Sequence, residues 1–512
     1  MVADLAPLVS GFLGRREQGF AGWRHETKEA CKDQAQADEI IASLTFIADA
    51  DRIDGDALGA GLAWAGPRAK IGFSQGGRPL QTGSGDLDGG ISKAGYDRYF
   101  LATAAVLTFV GVGALATFPL LAAVVAILAL VLPLLGTVAR PHARAVLPTG
   151  AVPVALLIYG LCLWANGAWA RDRPAALTVA AIFTLYASAT VAVTALLARS
   201  DTALLRAMGA GFVLAMAALA ACLAVEDVTG LGLRRLLASY LPFELASHRH
   251  LVMADGWVTE MAPFLLNKNV SIFVLLFWPA LLIARVLARS KIQRIALWCS
   301  VAIGVVATFG SRYDTGKIAL VTGLAVFLAA RAHARWTRNV VAAGWIAAAV
   351  LAVPVAHYAY RAGAHELPGL AFSWRDRIVI WGHTAGLVGR APWFGVGIET
   401  TRAEHQASSA PRQRTLRFEI PIDTNLHAHN AFLTAWYETG AVGVALLSAL
   451  VLALIGLISR QAAVARPYLY AAFMAVVVTA TFSWSLWATW FMAATALVAM
   501  FGETARQIAV RG

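Results

Sequence analysis

Residues 431–458 read AFLTAWYETGAVGVALLSALVLALIGLI, a run in which Glu438 is the only charged side chain. Crossing the hydrocarbon core of a bilayer takes about 20 apolar residues in a helix. A backbone in lipid has no water to bond and must satisfy its own polar groups, as a helix does. This stretch therefore predicts a membrane-spanning α-helix.

Further stretches along the chain share this apolar character, and the composition agrees with them. Hydrophobic residues make up 59% of the 512 positions and charged residues 14%, whereas a soluble domain carries about a quarter charged residues. We therefore predict an all-α integral membrane protein with about 12 transmembrane helices. The predicted spans are residues 99–118, 119–137, 147–164, 175–197, 203–225, 270–288, 292–309, 313–330, 340–356, 431–458, 468–482 and 484–501.

Basic residues are concentrated in alternate loops of this predicted topology. Every second loop, beginning after the second span, is rich in arginine and lysine, and Asp201 and Glu503 are the only acids among them. Cytoplasmic loops carry an excess of basic residues, so we place these loops in the cytoplasm. Their basic residues are Arg140, Arg144, Arg199, Arg206, Arg285, Arg289, Lys291, Arg294, Arg331, Arg335, Arg338, Arg460, Arg466, Arg506 and Arg511.

The formal charge of +12 does not indicate a nucleic-acid partner, because the basic residues separate apolar stretches instead of forming one basic face. Two polar segments, 226–269 and 358–430, lie outside the cytoplasm in this topology; the second is the large loop between the ninth and tenth spans. Residues 231–245 predict an amphipathic helix along the interface. Ahead of a membrane domain at 99–512, we expect residues 1–98 to be a poorly ordered cytoplasmic extension or a small accessory domain.

The large loop at 358–430 contains several arginines and no lysine. A guanidinium group offers a planar fork that binds phosphate or carboxylate through two parallel hydrogen bonds, which an ammonium group cannot do. An anionic substrate would explain this composition, and contact with anionic lipid headgroups is the alternative for any single arginine. The arginines are Arg361, Arg375, Arg377, Arg390, Arg402, Arg412, Arg414 and Arg417.

Arg312 lies at the outer end of the seventh and eighth predicted spans, and Asp314 and Lys317 follow within one helical turn. Ionisable side chains at membrane depth are costly, so they favour a functional interpretation. The structural alternative is that Asp314 and Lys317 pair with each other and extend toward the interface.

Arg375 and Arg377 open a second motif in the large loop. Apolar residues recur after Arg377 with helical spacing and predict a short interfacial helix. The sequence PWFGVG at 392–397 predicts a turn that closes it. The apolar residues are Ile378, Trp381, Ala385 and Val388.

The segment LHAHN at 426–430 directly precedes the tenth predicted span. One interpretation is a metal site in which the His-x-His pair is completed by Glu419 or Asp423. A second is a purely structural helix cap formed with Asn430. The third is that His427 or His429 is a general base, since an imidazole can accept a proton near neutral pH.

His429-Asn430, nine residues, Gly440, two residues and Gly443 fit the pattern H-[NSQ]-x9-G-x-x-G. This pattern resembles the O-antigen ligase family, within the wider ligase and polymerase superfamily of bacterial surface polysaccharides. The resemblance covers roughly residue 99 to the C-terminus and is greatest over 267–443.

Two further motifs resemble the same family. Ser311-Arg312 is similar to its Ser-Arg pair that opens a helix, and RIVIW at 377–381, followed by Pro392 and GVG at 395–397, is similar to its loop signature. The chain departs from the family pattern in its N-terminal extension, in the polar run DTGK at 314–317, and in His427, a second candidate base.

The resemblance implies a glycosyltransferase of lipopolysaccharide biosynthesis that acts on a polyprenyl-diphosphate-linked glycan at the periplasmic face of the bacterial inner membrane. We expect His429 to be the general base, and Arg312 and Arg377 to stabilise the negative charge that develops on the departing diphosphate. Because arginines can replace a divalent cation in this role, we predict no metal ion or other cofactor. Direct displacement would invert the anomeric centre. The residues expected to contact substrate are Lys317, Arg375, His427 and Asn430.

The acceptor expected from the resemblance is lipid A-core, which would make the chain a ligase. A polymerase that extends the glycan on its own carrier would use the same side chains, and it is the alternative within the class. A membrane transporter is the alternative from another class. Transporters tend to have internal repeats and carboxylates near the bilayer centre, whereas no clear repeat is visible here and Glu438 is the main acid within a predicted span.

Overall fold

The computed structural model of the chain describes residues 93–117, 131, 150–240, 251–254, 257–407, 413–415, 418–420 and 427–511. All of these belong to one compact unit, Gly89–Gly512. The expectation for the N-terminal extension lies outside the described residues as far as position 92, and so does the predicted second span at 119–137 except for Val131.

The apolar stretches that are described form helices. In chain order these are α1 (Lys93–Thr117), α2 (Ala151–Asn166), α3 (Arg173–Leu197), α4 (Thr202–Thr229), α5 (Gly232–Tyr240), α6 (Asn267–Leu287), α7 (Lys291–Gly310), α8 (Asp314–Ala332), α9 (Ala334–Arg361), α10 (Phe372–Leu387), α11 (Thr400–Ala407), α12 (Ala431–Ser459), α13 (Arg466–Phe482) and α14 (Thr489–Arg511). Short 3-10 turns lie at Pro263–Leu266, Ala364–Glu366 and Val388–Arg390.

Within the described ranges, 8 helices are long and apolar enough to cross a membrane: α1, α3, α4, α6, α7, α8, α9 and α12. Helices α2 and α13 are apolar but shorter. The class of all-α membrane protein is therefore confirmed, while the number of twelve spans stays a prediction. The last predicted span, 484–501, begins too early, because Trp484 to Ala488 form a turn and α14 starts only at Thr489.

Helix α6 lies at the centre of the bundle. It packs against α4, α13 and α14, and most of its residues are buried. An apolar residue on every face suits a helix that is surrounded by others. Around it, α8 packs along α13, α2 packs along α12, and α9 packs along both α10 and α12. These pairs bring the ends of α8, α10, α12 and α13 to one end of the bundle.

In the extramembrane segments, the described part of the predicted interfacial helix at 231–245 is α5 (Gly232–Tyr240). Residues 241–245 lie outside the described residues. Two small antiparallel hairpins, β1 (Leu251–Ala254) with β2 (Trp257–Met261) and β3 (Gln413–Thr415) with β4 (Phe418–Ile420), add strands to a chain predicted as all-α.

Candidate active site

The segments that carry Arg312, Arg377 and His429 meet at one end of the bundle. Ser483, just after α13, has its carbonyl oxygen 2.7 Å from Nδ1 of His429, just before α12. The hydroxyl of Ser483 donates to the hydroxyl of Thr315, in the first turn of α8, at 2.9 Å. Arg377 on α10 lies close enough for its charge to lower the pKa of His429. One cluster therefore contains all three segments.

His429 is a neutral imidazole with a defined tautomer. A carbonyl oxygen can only accept, so the contact with Ser483 requires the proton on Nδ1 and leaves the lone pair on Nε2. Burial lowers the pKa of His429 to about 4, the hydrogen bond to Ser483 opposes that shift, and the charge of Arg377 adds to it. At neutral pH the side chain is therefore able to accept a proton at Nε2.

His427 has the opposite hydrogen-bonding pattern. Its Nδ1 accepts the backbone N–H of His429 at 3.1 Å, and the two rings lie 3.9 Å apart. A neutral imidazole whose Nδ1 accepts carries its proton on Nε2. Burial lowers the pKa of His427 well below its ordinary value, and electrostatic interactions with His429, Arg402 and Arg377 act in the same direction. His427 can thus donate to a substrate from Nε2, while His429 can accept there.

Arg377 is held by an aromatic cluster and keeps donor groups available. Its guanidinium lies over the ring of Trp374 at 5.2 Å, and Nη1 donates to the carbonyl of Ser373 at 3.1 Å. The Nε atom is buried without a partner, and no carboxylate of the described residues forms an ion pair with this guanidinium. Burial lowers its pKa, but a guanidinium stays charged in proteins. Trp374 and Trp381 pack on Phe482, which joins α10 to the end of α13.

Arg312 lies between two anchored residues. The buried hydroxyl of Ser311 donates to the carbonyl of Thr308 at 2.7 Å, which completes the last turn of α7. Tyr313 is buried, and its hydroxyl accepts from Nε1 of Trp484 at 3.1 Å. Arg312 itself is exposed, and it makes no hydrogen bond or ion pair with any other described residue. Its backbone is therefore fixed while its guanidinium is available to a ligand.

Lys317 and Arg375 are partly engaged within the protein. Lys317 Nζ donates to Asp314 Oδ1 at 3.0 Å, in a pair whose side chains are 28% and 50% exposed. The ion pair between Asp314 and Lys317, which was the structural alternative for these residues, is thus present. Arg375 donates from Nη2 to the carbonyl of Leu367 at 3.2 Å. Both side chains keep further N–H groups for a substrate.

Asn430 caps helix α12, as the structural interpretation of its motif predicts. Its Oδ1 accepts from the backbone N–H groups of Phe432 at 3.0 Å and Leu433 at 3.1 Å. Side-chain acceptors at this position satisfy N–H groups that the helix leaves open. A contact between Asn430 and a substrate would have to use the amide NH₂ group.

Gly440 breaks α12 and receives the turn at 392–397. Its backbone is non-helical, with φ 65° and ψ −170°. The amide of Ala441 donates to the carbonyl of Pro392 at 2.9 Å. A Cβ on Gly440 would lie 2.5 Å from the backbone nitrogen of Gly395. The glycines of both motifs therefore allow two backbones to touch, which fixes the loop on α12.

Glu438, on α12 close to Gly440, holds the start of α11 against α12 through hydrogen bonds. It is 1% exposed and accepts from the Thr401 hydroxyl at 2.6 Å and from Trp487 Nε1 at 2.5 Å. Arg402, which follows Thr401, pairs with Glu399 at 3.3 Å. The charge of Arg402 is one of the causes that lower the pKa of His427. The acid found within a predicted span thus has a structural role that brings another arginine to the histidine pair.

Lys268 is a second basic residue beside the cluster. Its ammonium group lies 5.9 Å from the ring centroid of Trp484, and it makes no hydrogen bond or ion pair within the described ranges. Neither Lys268 nor Arg402 was singled out from the sequence as a site residue. Lys268 has the signal that selected Arg312, a basic residue at the outer end of a predicted span, while Arg402 was one of several loop arginines.

In the part of the chain that the structure describes, no group of three or more His, Cys, Asp and Glu side chains could hold a metal ion. The metal interpretation also involved Asp423, which lies outside that part.

Comparison with known proteins finds a family model that matches part of the chain, including much of this cluster. Residues 295–448 match the family model described as O-antigen ligase. The matched range includes Arg312, Arg377 and the segment from His427 to Gly443, and it ends before Ser483. A search of curated proteins found no match. The family match supports the O-antigen ligase family, as the motifs predicted, and a ligase- or polymerase-like membrane glycosyltransferase.

Proposed function

We propose, on the premise of the O-antigen ligase family, that this chain transfers a glycan from a polyprenyl-diphosphate carrier to a lipid A-core acceptor. The transfer takes place at the periplasmic face of a bacterial inner membrane. The observation that carries the proposal is the 2.7 Å contact between His429 Nδ1 and the carbonyl oxygen of Ser483. It supports an imidazole whose free lone pair lies on Nε2, within the electrostatic range of Arg377.

The reaction is a single displacement at the anomeric carbon. His429 Nε2 takes the proton of the acceptor hydroxyl as that oxygen attacks the anomeric carbon. The bond between this carbon and the phosphate oxygen breaks, and its electron pair leaves with the polyprenyl diphosphate. The attacking oxygen enters opposite the leaving group, so the configuration of the anomeric carbon inverts.

The arginines stabilise the leaving group. Negative charge increases on the diphosphate as the bond breaks, and prepositioned cations lower the energy of that transition state. Arg377 suits this role because no carboxylate of the described residues pairs with it and the contact of its guanidinium with the ring of Trp374 limits its motion. Arg312 is the second cation, with Lys317 and Arg375 as further contacts. Since the cations already supply the positive charge, we propose that no metal ion is needed.

Donor binding also makes His429 a stronger base. The positive charge of Arg377 is one of the causes that lower its pKa. A diphosphate bound to Arg377 would cancel that charge and place negative charge nearby, which favours the protonated imidazole. The pKa of His429 therefore rises toward neutrality when the donor is bound, where a general base works best.

The test is transfer by the purified full-length chain in detergent, with a polyprenyl-diphosphate glycan as donor and a chelator present. Lipid A-core and the carrier-linked glycan are offered as separate acceptors. Glycan found on lipid A-core supports the ligase, and elongation of the carrier-linked glycan alone replaces it with the polymerase. Absence of transfer to both acceptors, with the donor still bound, refutes the proposed transferase activity. Activity that the chelator abolishes and that only added metal restores refutes the metal-free mechanism.

A further inference from the structure

A cavity of about 880 Å³ lies where α8, α9 and the start of α13 meet. It is lined by His333, Ala334, Arg335, Trp336 and Arg466. None of these residues belongs to the candidate active site.

The cavity lies at the opposite end of the bundle from His429. Helix α8 has 19 residues and runs from Asp314, beside the active site, to Ala332, beside the cavity. Helix α13 has 17 residues and runs from Arg466, in the cavity, to Phe482, beside the active site. At 1.5 Å per residue these helices are about 25–28 Å long, close to the thickness of a hydrocarbon core. The cavity is therefore at the other membrane surface.

The chain around the cavity is basic and has no acid to neutralise it. Residues 331–340 and 458–470 contain Arg331, Arg335, Arg338, Arg460 and Arg466 and no Asp or Glu. Arg335 is exposed and makes no hydrogen bond or ion pair with the described residues. Arg466 donates from Nη1 to the carbonyl of Ser459, and its Nε is buried without a partner. The guanidinium of Arg335 and the Nη hydrogens of Arg466 that Ser459 does not use are thus available to an anion.

A second, apolar groove lies further along α9. It has a volume of about 550 Å³ and is lined by residues of α9 and α12, including Ala342, Ile346, Val350 and Leu452. Arg335 and Ala342 are seven residues apart, so they lie within about 20° on the same face of α9. The groove therefore lies on the cavity's side of α9, toward the middle of the helix. Trp336, 60% exposed, stands beside the cavity, as aromatic side chains do at a membrane surface.

We propose that this cavity and groove form a binding site for one anionic glycerophospholipid. Its phosphate contacts Arg335 and Arg466, and one acyl chain lies along α9 and α12. Basic pockets between membrane helices suit anionic headgroups. The apolar groove favours a lipid over a free phosphate ion, which would have no use for it. The proposal is independent of the transferase reaction.

The experiment measures thermal stabilisation of the full-length protein in detergent by added phosphatidylglycerol, with phosphatidylcholine and inorganic phosphate as separate additives. The variants are Arg335→Gln, the double variant Arg335→Gln with Arg466→Gln, and the control Arg294→Gln. Arg294 is an exposed basic residue on α7, so the control makes the same charge change outside the cavity. Unfolding of each variant without added lipid shows whether it is folded.

Phosphatidylglycerol should stabilise the wild type more than phosphatidylcholine does, and inorganic phosphate should not. Each arginine contributes about 1 kcal/mol of attraction to an anionic headgroup, which corresponds to about a fivefold change in affinity. We expect Arg335→Gln to weaken binding about fivefold, the double variant more than about tenfold, and the control less than twofold. Equal stabilisation by both lipids, an equal loss in the control, or full stabilisation by inorganic phosphate would each refute the lipid site. Because Arg335 makes no hydrogen bond or ion pair with the described residues, Arg335→Gln remains the decisive measurement if the double variant fails to fold.

Discussion

Replacement of each histidine by asparagine distinguishes the two candidate bases. The Nδ2 of asparagine is as many bonds from the main chain as Nδ1 of histidine, so in His429→Asn it can still donate to the carbonyl of Ser483. In His427→Asn, the side-chain oxygen can still accept the backbone N–H of residue 429. Both variants keep the local hydrogen bond, and only the first removes the basic nitrogen that we assign to catalysis.

The expected loss is that of a general base. Proton transfer by a positioned side chain is worth about 10²–10⁴ in rate, or about 3–5 kcal/mol of transition-state stabilisation. His429→Asn should therefore lower the rate of transfer by about 10²–10⁴ and leave the residual catalysis that the arginines supply. His427→Asn removes one donor to the substrate and should cost about tenfold or less. Because each variant retains its hydrogen bond, neither should lose more than about 1 kcal/mol of stability.

The assay is single-turnover transfer from saturating carrier-linked glycan, together with thermal unfolding of each variant. Saturation separates the chemical step from donor binding, and unfolding separates a catalytic loss from a folding defect. A larger loss in His427→Asn than in His429→Asn would refute the assignment of the base. A rate in His429→Asn that stays above a tenth of the wild-type rate would refute general-base catalysis by Nε2 of His429.

Three further results follow from the same geometry. Arg377→Lys should lower kcat/KM by about tenfold or more, because a point charge cannot reproduce the bidentate fork. The control is Arg361→Lys, at an exposed arginine at the end of α9, which should leave kcat/KM unchanged. Equal effects of both variants would indicate a general contact with lipid headgroups. For the free enzyme, kcat/KM should be independent of pH near neutrality and should fall as the pH drops toward about 4, where His429 gains a proton. The free energy of unfolding should also fall as the pH drops below the ordinary histidine pKa of 6.5. The reason is that the unfolded chain binds that proton more readily than the folded chain does. An alkaline optimum with a limb near pH 10 would instead indicate a lysine base. Gly440→Ala should lower stability by about 1–3 kcal/mol, since the residue has φ 65° and an added Cβ would meet the opposing backbone; Gly456→Ala, in open space on the same helix, should leave stability equal or slightly higher in thermal unfolding.

The membrane helices and the site motifs could be predicted because their signals are local. Apolar runs long enough for a bilayer gave most of the helices, and the spacing from Ile378 to Val388 gave α10. The pairing of Asp314 with Lys317 and the capping by Asn430 also depend on neighbours within one turn. Each of these features needs only the sequence within a few residues.

The remaining features depend on contacts between distant residues. The carbonyl of Ser483 contacts His429 across 54 positions, and no side-chain pattern marks a backbone acceptor. Trp484 looked like the start of a span because it is apolar, but its indole donates to Ser271 and Tyr313 in a turn before α14. The role of Gly440 was visible as a motif, whereas its reason, the approach of another backbone, is visible only in three dimensions.

The balance of charge around the histidines argues for an anionic ligand rather than for a passage through the membrane. Arg312 and Lys268 have no acidic partner among the described residues, and Arg377 keeps a buried donor without a partner. Such an arrangement costs energy in the free protein, because like charges repel and buried donors lack water. A conduction path for cations would need carboxylates that are free to bind them, yet Asp314 is paired with Lys317, and Glu438 accepts from Thr401 and Trp487. Under the proposed function, a bound diphosphate would remove both costs at once and raise the basicity of the adjacent imidazole, so that the charge that binds the donor would also prepare the base to activate the acceptor.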